Sequence, residues 1–531
     1  MKALPFCLLM LSAVAFPAIA KLPACDGGIV FEDRNGNDLR DPGEYGLAGV
    51  RLSDGKAIVE TDSTGRYSGL AGASERTVFV IKPAGFSAPL RTDGLPDLWR
   101  NPPQGLGAGL KYGGIAPAQG PCRDFALRRE GSRPAGLDVL VFADPQPKSA
   151  VDVEYYRRDI VAPLAGKQRA RLGLSLGDIV NDDLSLYPAM NRATATLALP
   201  WLHVAGNHDL DFDAARDEDS LLSFRNVYGP DTFAWEEPEA IFVGLDDVIY
   251  LPGQKPAYVG GLREDQFAFL EAYLRGAPKD QLLVIAVHIP FFDVSSDPAR
   301  PTFRRADRER LFALLAPFPH VLLLSGHSHT QRHVFHGADS GWHGTVPLHE
   351  YNVGAACGAF WSGFKDAAGI PDATMADGTP NGYATLRVEN GGRYFLAWHA
   401  ARAAQDTGIG LHAPKALRKG AYPAWGVYAN VYMGRDDSRV EYRVDNGDWK
   451  PMSKVLRPDP NLQAENVEDD AADKLRGYDR SPEAEASPHL WRGALPTDLA
   501  LGRHSIEVRV QDPWRGELRA QTGYELQDAT P

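Results

Sequence analysis

Two histidines, His327 and His329, stand directly after an apolar run in the segment VLLLSGHSHT, residues 321–330. Four earlier segments have the same form, in which an apolar run is followed at once by carboxylate, amide or imidazole side chains. They are FADPQ with Asp144 and Gln146, SLGDIVND with Asp178, VAGNHD with Asn207 and His208, and IAVHIP with His288. These side-chain types bind divalent metal ions in proteins. Each segment alone is a weak signal, but five in one chain predict a shared metal site.

The apolar runs before these residues are short and end at turn-forming residues, which is typical of buried strands. The carboxyl ends of parallel strands meet at one edge of a sheet, and ligands bind there. Between the runs, DQFAFLEAYL and DRERLFALLAPF carry apolar residues at helical spacing. Strands that alternate with amphipathic helices predict a layered α/β domain, with the metal site at its strand ends.

The central segment is flanked on both sides by sequences with β character. Residues 27–128 contain short strands such as GIVFED and RTVFVIKP, and the region beyond His412 contains an Asn-Gly turn in EYRVDNGDW. The predicted organisation is a signal peptide at 1–20, an N-terminal β-sandwich at 21–132, a catalytic domain at 133–402 and a C-terminal β-sandwich at 403–531. Residues 457–488, rich in Asp, Glu, Ala and Pro, are predicted to form a flexible excursion.

The charge and the cysteines of the chain bear on its partners and its location. A formal net charge of −13 argues against a nucleic-acid-binding surface, because phosphate backbones select basic patches. Residues 1–20 begin Met-Lys, continue through an apolar stretch and end Ala-Ile-Ala, as cleaved signal peptides do. Since no other stretch is long enough to span a bilayer, a periplasmic or secreted protein is predicted. Cys25 and Cys122 are the predicted disulfide of the exported chain.

In the order of its motifs, the central segment resembles the calcineurin-like metallophosphoesterases over roughly residues 136–400. The flanking modules are similar to those of a subgroup with an additional β domain at each end. The N-terminal module, with GLAGVRLSDG and TDSTGRYS, also resembles prealbumin-like B-type repeats. The resemblance implies a four-layer αββα sandwich, in which two sheets lie between outer helices. It also implies an exported enzyme that hydrolyses phosphate mono- or diesters.

The same resemblance implies two divalent metal ions that share the carboxylate of Asp178, with a bridging hydroxide as the nucleophile. One ion is expected to bind Asp144, Gln146, Asp178 and His329. The other is expected to bind Asp178, Asn207, His288 and His327.

His208 follows the asparagine ligand, and in the resembling enzymes this histidine assists the leaving group and does not bind metal. An imidazole in that role needs a partner that orients its ring. Asp182 and Asp209 are both candidates for this role.

Gln146 departs from the family pattern, because most members have histidine at this position. An amide oxygen is a harder ligand than an imidazole nitrogen, which favours manganese, with iron and zinc as the alternatives. The other interpretation is that Gln146 contacts the substrate or a neighbouring ligand and not the metal.

Two glycine-rich segments, NVGAACGAFWSG at 352–363 and DGTPNGY at 377–383, are similar to loops beside the metal centre in this subgroup. Phe360 and Trp361 are candidates to enclose the alcohol part of a substrate, and the alternative is that they pack in a structural corner. Cys357 is predicted to pack, because activated water makes a thiol nucleophile unnecessary.

The segment FEDRNGNDLRDPGE has the spacing of a calcium-binding loop. Its candidate ligands are Asp33, Asn35, Asn37, Asp41 and Glu44. The sixth position, which normally requires glycine, is Asp38. A weak calcium site and a solvated acidic turn are the two interpretations.

The hydrolase interpretation has two rivals. A surface-binding protein with an inactive central domain is supported by the Gln146 departure, and a metal-dependent nuclease is disfavoured by the acidic balance of the chain. Because a protein without turnover has little need of His208 beside a full ligand set, the enzyme is favoured. Its expected substrate is a phosphate ester, as a nutrient or a phospho-compound of the cell envelope.

Overall fold

A computed structural model of the chain describes residues 27–70, 76–117, 124–295, 300–403, 407–422 and 425–528. The predicted signal peptide lies outside these residues, as do Cys25 and Cys122 of the predicted disulfide. Within the described ranges, none of the helices combines the length and the hydropathy that crossing a lipid bilayer requires.

The N-terminal module consists of short strands in two sheets of four. The strands are β1 (Gly27–Glu32), β2 (Arg51–Ser53), β3 (Ile58–Glu60), β4 (Arg66–Ser68), β5 (Val78–Val80), β6 (Phe86–Ser87), β7 (Trp99–Arg100) and β8 (Phe125–Arg129). One sheet has the order β4-β1-β8-β6 and the other β3-β2-β5-β7. Apolar side chains from both sheets, such as Val30 and Leu52, are buried. The module therefore has the β architecture that its short strands predict.

The central domain contains two large mixed sheets and a separate hairpin. Its strands are β9 (Leu137–Phe142), β10 (Leu172–Leu176), β11 (Trp201–Val204), β12 (Phe233–Glu236), β13 (Ala240–Gly244), β14 (Val248–Tyr250), β15 (Tyr258–Gly260), β16 (Leu282–Ala286), β17 (Val321–Ser325), β18 (Arg332–His336), β19 (Leu348–Asn352), β20 (Gly382–Glu389) and β21 (Arg393–Ala400). One sheet has the order β11-β10-β9-β20-β21, the other has the order β12-β13-β16-β17-β19-β18, and β14 pairs with β15.

Parallel pairing places the predicted site strands side by side. Strands β9, β10 and β11 run parallel in the first sheet, and β13, β16, β17 and β19 run parallel in the second. Strand β10 is buried along its whole length, and β9 and β17 are buried at all positions but one. Continuous burial is expected where helices or a second sheet cover both faces of a parallel sheet.

The helices lie between the strands of the central domain, with one more in the C-terminal module. They are α1 (Ala150–Tyr156), α2 (Tyr187–Thr194), α3 (Leu222–Tyr228), α4 (Glu264–Arg275), α5 (Arg305–Leu315) and α6 (Pro460–Ala471). Helix α1 contacts α2, and α4 contacts α5. The apolar residues of DQFAFLEAYL are buried on one face of α4, as their spacing predicts. The predicted layered α/β domain of two sheets, with β modules at both ends, is confirmed.

The C-terminal module has one antiparallel sheet, one mixed sheet and its own apolar core. Its strands are β22 (Ile409–His412), β23 (Ala416–Arg418), β24 (Gly426–Val431), β25 (Val440–Val444), β26 (Lys450–Pro451), β27 (Ser453–Pro458), β28 (Ala486–Ala494), β29 (Gly502–Asp512) and β30 (Gly516–Gln527). The sheets have the orders β22-β24-β28-β27 and β23-β30-β29-β25-β26, and in the second β23 runs parallel to β30. Burial alternates along β29, where Ile506, Val508 and Val510 enter the core. This alternation is expected of strands with one solvated face.

The prediction of a flexible excursion at 457–488 is wrong over residues 460–471, where α6 forms. The side chain of Asp459 accepts hydrogen bonds from the backbone N–H groups of Asn461 and Leu462. Pro460 begins the helix, where its missing N–H removes no intrahelical hydrogen bond, and Leu462 is buried. An N-cap and one buried leucine therefore outweigh the polar composition of this segment.

The N-terminal module shares one continuous apolar core with the central domain. A buried ion pair crosses the same boundary, because Lys82 Nζ lies 2.6 Å from Glu237 Oε1. Lys82 Nζ also donates to the carbonyl of Glu236, and Trp235 Nε1 donates to Glu237. The shared core and these contacts fix the N-terminal module against the central domain.

Candidate metal centre

Five predicted metal ligands follow the carboxyl ends of five parallel strands and lie close together. Strands β9, β10 and β11 are followed by Asp144, Asp178 and Asn207, and β16 and β17 are followed by His288 and His327. The two sheets meet here, because His288 and His327 of one sheet contact Asp178 and Asn207 of the other. The site is therefore built across the interface of the two sheets.

The ring of His288 stands at the middle of the first ligand set. Its Nε2 lies 3.0 Å from Asn207 Oδ1, 3.2 Å from His327 Nδ1 and 3.4 Å from Asp178 Oδ2. Ligands about 2.0–2.1 Å from a tetrahedral metal ion are about 3.3 Å from each other, so these spacings fit a cation. His288 Nδ1 donates to the carbonyl of Leu176 at 2.9 Å, which fixes the ring so that Nε2 faces the site.

The second ligand set contains Asp144 and His329. Asp144 is fully buried, and its Oδ1 lies 3.6 Å from His329 Nε2. His329 Nδ1 donates to the carbonyl of Gly358 at 2.7 Å, which directs Nε2 at Asp144. The backbone N–H of His327 also donates to Asp144, at 3.0 Å, which joins the two ligand sets. The donor types and the ring orientations fit a second cation next to the first.

Gln146 enters the site with its amide reversed from the orientation of a ligand. Its Nε2 donates to Asp178 Oδ2 at 3.0 Å, while its Oε1 lies 3.8 Å from the Sγ of Cys357. A half-turn of the amide would direct the oxygen at the site, and the two orientations occupy the same volume. Gln146 therefore lies among the predicted ligands and contacts the carboxylate of Asp178 directly.

The backbone of the site is held in a conformation that most side chains avoid. Five of the seven predicted ligands have positive φ angles, between 42° and 69°. They are Asp144, Gln146, Asp178, His327 and His329. Residues other than glycine rarely occupy this region, and strained residues cluster at functional sites, where the surrounding fold holds them.

Two glycines make room for the ligands. A Cβ at Gly206 would lie 2.2 Å from Asp178 Oδ1, and a Cβ at Gly177 would lie 2.5 Å from His288 Nδ1. Gly177 also has a φ of 87°. The glycines of the GD and GN motifs are therefore required by the close approach of the ligand side chains.

The buried charges of the site depend strongly on one another. Burial alone would raise the pKa of Asp178, but the charge and the hydrogen bond of His288 hold it well below its ordinary value. Burial would lower the pKa of His288, but Asp178 and Asp144 raise it to about 10. Burial and the charge of His288 lower the pKa of His327 to about 3. Buried carboxylates thus require positive charge here, as a cation site does.

His208 is held by Asp182. Its Nδ1 donates to Asp182 Oδ1 at 2.7 Å, and its backbone N–H donates to Asp178 Oδ1 at 2.8 Å. Although burial would lower the pKa of His208, the hydrogen bond of Asp182 and the charge of Asp178 raise it. The ring therefore presents Nε2 next to the metal ligands.

Asp209, the other candidate partner of His208, makes different contacts. Its carboxylate is fully buried and accepts hydrogen bonds from the N–H groups of Gly206 and Ile179 and from the hydroxyl of Tyr187. It joins the loops after β10 and β11 and does not contact the ring of His208. Of the two aspartates, the structure brings only Asp182 to His208.

Asp182 receives a contact from the N-terminal module. Its φ angle is 65°, its backbone N–H donates to the carbonyl of His208, and its own carbonyl accepts from the hydroxyl of Tyr112 at 2.9 Å. Tyr112 lies in the long loop between β7 and β8. The N-terminal module thus contacts the residue that orients His208.

Aromatic rings of different exposure border the site. The ring of Phe360 is exposed, 4.6 Å from the ring of His329 and 4.9 Å from Lys148 Nζ. Trp361 is buried, and its Nε1 donates to the carbonyl of Pro145. Trp361 therefore packs in a structural corner that holds the loop of Asp144, whereas Phe360 is open to a substrate. Tyr258 packs edge to face on His327, with ring centroids 6.0 Å apart.

Cys357 is buried and unpaired, behind the second ligand set. Its Sγ lies 3.8 Å from His329 Nδ1 as well as from Gln146 Oε1. Burial raises the pKa of its thiol well above the ordinary value, so it stays protonated and packs as a small apolar side chain.

The acidic loop of the N-terminal module is satisfied by protein donors. Asp33 accepts from the backbone N–H groups of Gly36 and Asp38 and from Arg128 Nε at 3.0 Å. Glu44 accepts from the N–H groups of Arg34 and Asp41. Asp38 takes a φ of 62°, the conformation for which glycine is usual at this position. Arg128 supplies positive charge to this loop.

Sequence reasoning missed three residues at the site, Asp247, Tyr112 and Tyr258. Asp247 follows β13, and its Oδ1 accepts from the backbone N–H groups of His288 and Ile289. It has the strand-end signal of the other site residues in AIFVGLDD, so the same rule could have found it. Tyr112 and Tyr258 come from a loop and a hairpin, and no spacing rule connects them to the site.

Family models match most of the chain. The model for the calcineurin-like phosphoesterase matches residues 137–331, the model for its N terminal matches 35–106, and the model for its C terminal matches 350–517. The chain is 30% identical over 246 residues to the 3′,5′-cyclic adenosine monophosphate phosphodiesterase CpdA of Pseudomonas aeruginosa. That alignment covers 46% of this chain and 79% of the relative. A solved structure, the purple acid phosphatase PPD1 from yellow lupin (Lupinus luteus) seeds, aligns with a TM-score of 0.35 at 12% identity, over 67% of this chain and 69% of that one.

Proposed function

Because the chain belongs to the calcineurin-like phosphoesterase family, we propose that it hydrolyses phosphate esters at a centre of two divalent cations. We also propose that it acts in the periplasm or outside the cell, on the basis of the signal-peptide pattern at residues 1–20. One observation carries the first proposal. Buried carboxylate, amide and imidazole groups from five strand ends converge within hydrogen-bonding distances of one another, beside the His208–Asp182 pair.

Each of the two ligand sets would hold one cation, and both cations would bind the carboxylate of Asp178. When bound, these cations activate water as the nucleophile and neutralise the charge of the phosphoryl group. Asp178 contacts His288 of one set and Gln146 of the other, so its carboxylate stands where both sets meet. Manganese is the proposed metal, because the site holds an amide at residue 146 in place of an imidazole.

His208 supplies the proton that the leaving group needs. Asp182 binds Nδ1–H, so Nε2 is the nitrogen that faces the substrate. The bond from phosphorus to the alcohol oxygen breaks, that oxygen takes the bonding electron pair, and the Nε2 proton of His208 passes to it. Although burial would lower the pKa of His208, the hydrogen bond of Asp182 and the charge of Asp178 raise it, which favours the protonated ring that this step requires.

The proposed substrate is a phosphodiester. The similarity to a phosphodiesterase supports this class, and the exposed ring of Phe360 beside His329 offers an apolar contact to the second alcohol group of a diester. A nutrient phosphoester and a phospho-compound of the cell envelope both fit the proposed location.

Purified protein, reconstituted with Mn²⁺, tests the proposal with two chromogenic probes. We expect turnover of the diester bis(p-nitrophenyl) phosphate to exceed that of the monoester p-nitrophenyl phosphate. Asp178→Asn is the matched control, because it keeps the size of the side chain and removes the shared charge. Wild-type protein that binds manganese and hydrolyses neither probe would contradict the proposal.

A further inference from the structure

The hydroxyl of Tyr258 has no hydrogen-bond partner among the described residues, although its ring is half-buried beside the metal centre. Other tyrosines around the site behave differently. Tyr112 donates to the carbonyl of Asp182, Tyr187 to the carboxylate of Asp209, and Tyr250 to the carbonyl of Phe212. Unlike these three tyrosines, Tyr258 therefore keeps a free donor beside the predicted ligand His327.

Tyr258 packs against one of the two histidines of the GHSH motif. Its ring packs at 84° on the ring of His327, and the charges of Asp178 and Asp182 both act on its hydroxyl. Phe360 packs against the other histidine, His329. The two aromatic residues thus stand at the two histidines of the GHSH motif, one with a hydroxyl and one without.

We propose that Tyr258 contacts the substrate and that its hydroxyl donates a hydrogen bond to a non-bridging oxygen of the phosphoryl group. This inference rests on the proposed function of the metal centre. A half-buried hydroxyl without a protein partner gains most from an acceptor that arrives with the ligand. A phosphoryl oxygen is such an acceptor, and its charge changes during the reaction, so a fixed neutral donor stabilises the transition state.

The hairpin of β14 and β15 holds Tyr258 in place. Tyr258 pairs with Tyr250 across this hairpin, and Tyr250 is tied to Phe212 by its own hydroxyl at 2.6 Å. Removing the Tyr250 hydroxyl takes away the hydrogen bond that holds the hairpin to Phe212, but it leaves the hydroxyl of Tyr258 in place. Tyr250→Phe is therefore the matched control for Tyr258→Phe.

The first experiment compares the steady-state kinetics of the two variants on bis(p-nitrophenyl) phosphate. We expect Tyr258→Phe to lower kcat by about ten- to a hundredfold with little change in KM, as loss of one transition-state donor does. Bound manganese should equal that of the wild type. Tyr250→Phe should keep kcat within about twofold of the wild type. An unchanged kcat in Tyr258→Phe, or an equal loss in Tyr250→Phe, overturns the proposal.

The second experiment needs no turnover and uses inorganic phosphate as the probe. Calorimetric titration of manganese-loaded protein should give about a tenfold weaker affinity for Tyr258→Phe than for the wild type and for Tyr250→Phe. If the wild type is inactive on both ester probes but shows this difference, the hydrolase function fails and the contact of Tyr258 stands. If the wild type is active, and the wild type and both variants have equal phosphate affinities and equal rates, the proposed contact of Tyr258 is wrong and the hydrolase function stands. Wild-type protein that binds no phosphate also overturns the contact.

Discussion

His208 Nδ1 and Asp182 Oδ1 lie 2.7 Å apart, which fixes the ring of His208 beside the predicted metal ligand Asp178. This pair joins a half-buried imidazole to an exposed carboxylate. Because the carboxylate is exposed, its position depends on the backbone of Asp182, and that backbone is held by His208 and Tyr112. The orientation of the proposed acid is therefore set by two structural modules.

Removing the imidazole of His208 should lower turnover without lowering the amount of bound metal. We expect His208→Ala to lower kcat on the diester probe by roughly a hundred- to a thousandfold, and Asp182→Asn to lower it by about tenfold. Both variants should bind as much metal as the wild type, because neither side chain is a predicted ligand. Asp62→Asn, which alters an exposed turn of the N-terminal module where the carboxylate accepts from Thr64, is the control and should keep its rate. Full turnover by His208→Ala would exclude it as the acid.

The hydrogen bond from Tyr112 of the N-terminal module to Asp182 should affect kcat, because Asp182 orients His208. We expect Tyr112→Phe to lower kcat by about threefold, because the carbonyl of Asp182 loses its donor. In Asp182→Asn the same change should have almost no further effect, which a double-mutant cycle measures. Tyr45→Phe removes an exposed hydroxyl from the same module and serves as the control. Additive effects of the two changes would show that Tyr112 acts elsewhere.

Removal of the cations should destabilise the protein as well as inactivate it. Asp144 and Asp178 are buried, and without cations their charges rely on neighbouring histidines. We expect a chelator to lower Tm by roughly 5 °C or more and Mn²⁺ to restore it, since a ligand of the folded state stabilises that state. Scanning calorimetry with and without chelator measures this shift. In Asp178→Asn the shift should be much smaller, and an identical Tm in wild-type protein under both conditions would argue against bound metal.

Residue 146 should decide which metal the second ligand set prefers. Gln146→His restores the imidazole that most of the family has, so we expect metal content to move from manganese toward zinc when both are supplied equally. Elemental analysis after dialysis measures the ratio. Cys357→Ser changes the neighbour of this side chain without changing a predicted ligand, and should leave the ratio unaltered. An unchanged ratio in Gln146→His would indicate that residue 146 does not bind the metal.

The buried pair between the N-terminal module and the central domain should contribute to global stability. Lys82→Met leaves the buried carboxylate of Glu237 with Arg133 as its remaining ion-pair partner and is expected to cost about 2 kcal/mol of unfolding free energy. Lys82→Met with Glu237→Gln should recover at least about half of this loss, because a neutral amide needs no counter-charge. Arg305→Met breaks an exposed pair with Glu309 and should cost less than about 0.5 kcal/mol. Denaturant titrations measure all three, and a loss as small for Lys82→Met as for Arg305→Met would contradict the expectation.

The amino-acid sequence alone identifies the site through its strand ends. Short apolar runs that end in Asp144, Asp178, Asn207, His288 and His327 encode both the strands and the ligands, because a parallel sheet presents the carboxyl ends of its strands at one edge. Local signals therefore predict the family, the layered fold and the metal centre. Composition gives the wrong prediction at 457–488, because this polar segment contains helix α6, whose N-terminus is capped by Asp459.

What the sequence by itself determined is thus the set of ligand types and the elements that carry them. Only the tertiary structure decided that Asp182 and not Asp209 contacts His208, that Phe360 is exposed while Trp361 is buried, and that Tyr112 and Tyr258 reach the site. The physical reason is that neighbouring residues encode a buried strand and its end, as a short apolar run followed by turn-forming and polar residues. Contacts between loops of different modules depend on how the sheets pack, and no spacing along the chain records that packing.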